Sequence, residues 1–212
     1  MSIPKNRPPQ GAPKRAHYFD PVPEVESKRR TLHLRAGAVA IELQADRGVF
    51  ASRAIDLGTL TLLKEAPPPP TQGDLLDLGA GYGPIAIALA RLSPGARVWA
   101  VDINERALEL TRANAAAAKT PNVVAALPDD VPAELRFAAI YSNPPVRVGK
   151  APLHDLLQRW LPRLAPGGKA YLVVQRNLGA DSLAAWLETH GYQVDRVKSK
   201  KGYRVLAVAG PG

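Results

Sequence analysis

The sequence predicts an α/β domain: a seven-stranded sheet, mostly parallel with an antiparallel final strand, helices on both faces, and a small N-terminal β-hairpin extension. Three observations predict it. Strand-like and helix-like patterns alternate from residue 74 to residue 190, as parallel sheets with crossover helices require. One strand–helix junction carries Gly79, Gly81 and Gly83. The last two strand patterns, 193–198 and 203–209, are joined by Ser199-Lys200-Lys201-Gly202 alone, and so short a link pairs strands antiparallel.

The elements follow in order. Residues 1–16, with Pro4, Pro8, Pro9 and Pro13 among several cations, read as a disordered basic tail. Residues 17–66 read as the extension. Within it, 31–35 and 39–44 alternate around Ala36-Gly37 and predict a hairpin, and 56–64 predicts a short helix. Four prolines, 67–70, make a stiff linker into the main domain at 71–210. There, strands are expected at 74–78, 97–102, 123–126, 138–142 and 169–175, besides the closing pair, and helices at 84–92, 104–119, 153–164 and 180–190.

Composition limits the chemistry. A chain of 212 residues, 46% hydrophobic, suits one domain with a sizeable core. It has no cysteine, which excludes disulfides and thiol chemistry. The four histidines, His17, His33, His154 and His190, are scattered, so no metal site is expected. No apolar run approaches a membrane span, and the polar, Pro-rich start has no signal-peptide core. These features predict a cytoplasmic protein. The net charge of +9 is concentrated before Arg35 (Lys5, Arg7, Lys14, Arg15, Lys28, Arg29, Arg30) and at Lys198, Lys200 and Lys201. Such density can follow a phosphate backbone, or simply solvate a face.

Two motifs carry chemistry. The first runs from Asp74 through Asp77, Gly79, Ala80, Gly81, Tyr82 and Gly83 to Pro84. It reads as buried strand, glycine turn and helix, with Pro84 in the first helical turn. Glycines here allow positive φ and close approach of a ligand. Asp102, which ends the next strand just before Ile103, lies about twenty residues beyond the turn, the spacing at which an acid meets a ribose. The pattern is G-x-G-x-G rather than the dinucleotide G-x-G-x-x-G. Asp77 at the strand end repels phosphate and favours a cation. S-adenosylmethionine, with its ammonium and sulfonium, fits better than NAD. For each residue a plainer role stands beside this one: a tight turn for the glycines, a cap for Asp77 or Asp102, sheet cover for Tyr82.

The second motif is Asn143-Pro144-Pro145, closing the strand at 138–142. The prolines stiffen the turn and remove two donors. The Asn143 side-chain oxygen and the Pro144 carbonyl then form an acceptor pair for a planar, conjugated amine. Gripping the amine hydrogens would aim the nitrogen lone pair at an electrophile. An Asx-Pro turn is the plain alternative.

With these motifs the chain resembles the "methyltransferase small" family of class I S-adenosylmethionine-dependent methyltransferases, which have a Rossmann-like sheet. The closest resemblance is to its short, single-domain members, through Asn143-Pro144-Pro145-Val146-Arg147-Val148-Gly149-Lys150, Gly58-Thr59, Asp102-Ile103-Asn104 and Gly202-Tyr203-Arg204-Val205-Leu206. The resemblance covers roughly residues 17 to 208. It implies methyl transfer from S-adenosylmethionine to an exocyclic base amine, with guanine in small-subunit ribosomal RNA as the foremost substrate. It implies cofactor contacts from Asp77, Gly79, Ala80, Gly81, Tyr82, Gly83, Asp102, Ile103 and Asn143. Catalysis would fall to Asn143, Pro144 and Pro145, and substrate contacts to Val146, Arg147 and Lys150. Methylation of a protein glutamine amide, or of another RNA or DNA amine, shares this chemistry. A nicotinamide oxidoreductase is disfavoured by the glycine pattern and Asp77, and a non-catalytic RNA-binding module by the presence of Asp77, Asp102 and Asn143. Three departures stand out: Val146 replaces the family's frequent aromatic, no acid occupies Ala125-Ala126-Leu127-Pro128 to meet the adenine, with Asp129 or Asp130 as substitutes, and the extra N-terminal domain of the two-domain members is not expected.

Overall fold

The computed structural model describes residues 26–51, 53–146 and 149–210. The expected tail, 1–16, and Arg147 lie outside the described residues. The chain runs β1 (Arg30–Ala36), β2 (Val39–Ala45), α1 (Leu57–Glu65), β3 (Gln72–Leu78), α2 (Pro84–Leu92), β4 (Gly95–Val101), α3 (Glu105–Ala117), β5 (Val123–Ala126), β6 (Phe137–Ser142), α4 (Lys150–Trp160), β7 (Leu164–Gln175), α5 (Ala180–Thr189), β8 (Gln193–Lys200) and β9 (Tyr203–Ala209).

β1 and β2 form the antiparallel hairpin. The other seven strands form one sheet in the order β5-β4-β3-β6-β7-β9-β8. The pairs among β3 to β7 are parallel, and β9 runs antiparallel to both β7 and β8. The order reverses between β3 and β6. Ligands on such sheets bind beyond the strand C-termini at this switch point, where the glycine turn and Asn143 both emerge.

Strand periodicity sorts the core. Leu76 and Leu78 of β3 pack with Ile140, Leu172 and Leu206 against α4 and α5. Leu75, one residue along, faces the opposite side with Val98, Tyr141 and Val205, under α1 and α2. With both faces covered, the central strands are nearly continuous apolar runs. A third cluster joins the hairpin (Leu34, Ile41, Leu43) to α2, α3 and Tyr82. Asn114 of α3 stitches this junction: its amide group donates to Gln44 O (2.8 Å) and Tyr82 O (2.9 Å), and its oxygen accepts from Gln44 N (2.7 Å).

Several boundaries differ from the expectation, most of all those of α4 and β7. α4 begins at Lys150, not 153, and ends at Trp160, after which Leu161–Arg163 form a 3-10 turn. β7 begins at Leu164, not 169, because Leu164 pairs with Phe137 ahead of a register shift. Among the described residues, no helix is long and apolar enough to cross a membrane.

Candidate active site

The site is built on the turn that follows β3. Gly79, Gly81 and Gly83 have φ of 78°, 57° and 86°, values that strain residues with a side chain. At Gly83 space also decides: an added Cβ would lie 3.0 Å from Thr111 Oγ1 and Cγ2. Thr111, buried on α3, donates to Gly81 O at 2.9 Å. Gly79 N and Ala80 N donate to Val101 O at 2.9 and 3.0 Å. Gly81 N donates to Asp102 Oδ2 at 2.8 Å. The turn is thus clamped by the end of β4 and by α3 before any ligand arrives. Thr111 carries no motif signal that sequence reasoning could have used.

Asp77 is fully buried. Its Oδ2 accepts from Ala86 N at 2.8 Å, capping the first turn of α2. Among the described residues, its Oδ1 has no hydrogen-bond partner. Burial raises its carboxyl to about 8; the Ala86 N–H opposes this, and the Asp102 charge adds to it. Asp102 is also buried, and burial pushes its pKa up against hydrogen bonds from Asn104, Gly81 and Ile103. Its Oδ1 accepts from Asn104 N at 2.9 Å. Each Asp102 oxygen retains a lone pair for a hydroxyl donor. Asn104 caps α3 by accepting from Ala107 N, and donates to Gly48 O in the loop after the hairpin.

Two clefts flank Gly79. One is mostly apolar and is lined by Leu78, Val101, Asp102, Ile103, Pro128 and Trp160 among others. Asp129, a suggested adenine partner, instead pairs with Arg159 at 2.6 Å and is strongly exposed; Asp130 is exposed as well. The other cleft is lined by Gly79, Ala80, Gly81, Tyr82, Pro84 and Ile85 on one side, and by Phe50, Ala51, Thr59 and Asn143 on the other. Tyr82 lines this cleft and packs, 2% exposed, into the hairpin cluster rather than covering the sheet.

At the end of β6, buried Ser142 ties the strand to β3 by donating to Leu78 O at 2.7 Å. The Asn143 amide group donates to Asp56 Oδ1 at 2.6 Å and Thr59 Oγ1 at 3.2 Å. Asp56 is the N-cap of α1, and its Oδ1 also accepts from Gly58 N and Thr59 N. Tying down the Asn143 NH2 fixes which way the amide points and leaves its oxygen as the acceptor. Asp56 precedes Asn143 by 87 positions, so sequence reasoning missed it; its one visible signal was its place ahead of a helix. The Pro144 carbonyl already accepts from Val146 N at 2.8 Å, leaving it one further lone pair. Val146 is half-buried and packs against the core beneath α4. Lys150 is exposed at the start of α4.

The apolar cleft presents Asp102 and Ile103 beside Gly79, and Asp77 lies fully buried beneath the turn. Among the described residues, no cluster could hold a metal ion. Fold and site together define a Rossmann-like methyltransferase. The comparisons identify its family: the methyltransferase small domain model matches residues 40–207, and the chain belongs to that family of S-adenosylmethionine-dependent methyltransferases. YbxB of Bacillus subtilis, an uncharacterized protein, is 33% identical over 193 residues, covering 90% of this chain and 96% of YbxB. Ribosomal RNA small subunit methyltransferase C of Aeromonas hydrophila is 32% identical, covering 86% of this chain and 53% of the relative. The structure of a T. thermophilus 16S rRNA N2 G1207 methyltransferase with AdoMet and guanosine is similar, with a TM-score of 0.69 and 27% identity over 89% of this chain and 52% of that one. The chain therefore spans about half the length of these two ribosomal RNA enzymes.

Proposed function

We propose that this protein transfers a methyl group from S-adenosylmethionine to the exocyclic 2-amino group of guanine in small-subunit ribosomal RNA, in the cytoplasm. The observation that carries the reading is the Asn143 amide, whose NH2 is held by Asp56 and Thr59 while its oxygen is left to accept. Support for the RNA comes from the relatives that act on it and from the net charge of +9.

Bound S-adenosylmethionine supplies an electrophilic methyl group. The chain's own residues hold and aim. Gly79, Ala80, Gly81, Tyr82 and Gly83 form the backbone cradle, Asp77 and Asp102 hold polar ends, and Ile103 borders the adenine cleft. Asn143 Oδ1 and the Pro144 carbonyl accept the two hydrogens of the incoming amine, and Pro145 keeps that turn rigid. The amine lone pair is thereby turned toward the methyl donor. No strong base is needed, because the nitrogen becomes acidic once alkylated and releases its proton to water. Arg147 and Lys150 would meet the RNA phosphates beside this turn, and Val146 supports the turn from below.

Mass mapping of small-subunit ribosomal RNA from cells lacking the protein tests the reading. It predicts the loss of one N2-methylguanosine, restored by the wild-type gene and not by Asn143→Ala. An unchanged nucleoside map would refute it.

A further inference from the structure

The inner cleft at Asn143 opens onto a wider one. Phe50 and Ala51 line both. The outer cleft is open and is lined by Phe50, Ala51, Arg53, Ala54, Ile55, Asp56, Leu57 and Tyr203. Among the described residues, Phe50, Leu57, Leu92 and Leu178 are the large apolar side chains left strongly exposed, and two of them share this cleft, at 52% and 49%. Apolar walls beside a carboxylate suit a flat ring with a polar edge.

The carboxylate is that of Asp56. Its Oδ1 accepts from Gly58 N (2.8 Å), Thr59 N (3.2 Å) and the Asn143 amide (2.6 Å). These bonds all use Oδ1, and Asp56 lines the cleft. Gly58 makes the convergence possible. A Cβ there would meet Asp56 Oδ1 at 2.8 Å, the Tyr203 ring at 2.9 Å and Asn143 Oδ1 at 3.1 Å. Those contacts place the Asp56 carboxylate and the Asn143 acceptor side by side at the junction of the clefts.

We propose that this outer cleft is the target-base subsite, with Phe50 stacking on the ring and Asp56 Oδ2 selecting guanine. The inference rests on the RNA-guanine reading above and deepens it. A base whose amine reaches Asn143 Oδ1 presents the neighbouring ring nitrogen to Asp56. In guanine that nitrogen, N1, carries a hydrogen and donates to the carboxylate. In adenine and cytosine the ring nitrogen beside the amine is an acceptor, and two acceptors facing each other repel. Phe50 supplies the aromatic surface that Val146 does not.

2-Aminopurine riboside tests this directly, because it keeps the 2-amino group but has an acceptor at N1. Binding of guanosine and of 2-aminopurine riboside is measured on the protein saturated with S-adenosylhomocysteine, beside its Asp56→Asn and Phe50→Ala variants. Asparagine is as good an N-cap as aspartate. Its oxygen would keep the three bonds and put an NH2 where Oδ2 was. The wild type should prefer guanosine by roughly tenfold or more, since a site built around a donor rejects the analogue without it. Asp56→Asn should level or invert that preference. Phe50→Ala should weaken both ligands alike, by roughly tenfold, and abolish quenching of the fluorescent analogue. A wild type without preference, an Asp56→Asn variant that keeps it, or Phe50→Ala binding like wild type would overturn the proposal. Transfer of labelled methyl to N2 of guanine in small-subunit ribosomal RNA, run on the same wild-type protein, separates the failures. Transfer with the base preference unexplained refutes the subsite alone; no transfer refutes the RNA reading with it.

Discussion

Replacing Asp77 by asparagine should change how the unliganded protein's stability depends on pH. The carboxyl titrates near 8 in the fold against an ordinary value of 3.8, chiefly because it is fully buried. Between those values the folded protein keeps a proton that the unfolded chain has released. Stability therefore falls as pH rises from about 4 to about 8 and levels off above. A shift of about four units corresponds to on the order of 5 kcal/mol, since each unit is about 1.4 kcal/mol. Asp77→Asn keeps an oxygen for the Ala86 N–H and cannot ionise. Asp102, also raised by burial, is present in both proteins and largely cancels in their difference. Urea unfolding of both proteins at pH 5, 6.5 and 8 should show the variant gaining several kcal/mol on the wild type across the range. A difference that stays constant with pH would refute the assignment of a buried, protonated Asp77.

Gly83→Ala should combine left-handed strain with the Thr111 clash, costing about 1–3 kcal/mol and weakening S-adenosylmethionine binding; calorimetry and thermal unfolding read the two effects. Replacing Lys198, Lys200 and Lys201 by alanine should flatten the salt dependence of RNA binding by roughly one unit per lost phosphate contact. An unaltered slope, measured by filter binding, would remove this strand edge from the RNA path.

The central sheet was legible because buried parallel strands are long apolar runs and because glycines and prolines mark the junctions: Gly79 to Pro84 begins α2 where expected. The start of β7 was not, since Leu164–Lys169 contains Pro166, Gly167 and Gly168, residues that favour turns, yet pairing with Phe137 and Ala139 extends the strand through them. Of the site, Gly79, Ala80, Gly81, Tyr82, Asp102, Ile103 and Asn143, singled out by type and spacing, line the two clefts. Their supports were not legible. Asp56 and Thr59 reach Asn143 from a distant helix, and Thr111 and Asn114 secure the glycine turn from inside α3. Such contacts depend on tertiary packing, which no local pattern encodes. Asp77 was read as weighing a cap against a ligand, and the geometry displays the cap on one oxygen while leaving the other unpaired.

Methyl transfer is expected to depend above all on Asn143. Asn143→Ala removes the oxygen that orients the amine, an interaction felt mainly in the transition state, and should lower turnover by about a hundredfold or more while leaving S-adenosylmethionine affinity nearly unchanged. The decisive measurement is single-turnover methyl transfer to small-subunit ribosomal RNA by folded Asn143→Ala, with its cofactor affinity measured alongside. A deep loss of rate with intact cofactor binding is the predicted result, and a rate close to wild type would contradict the account.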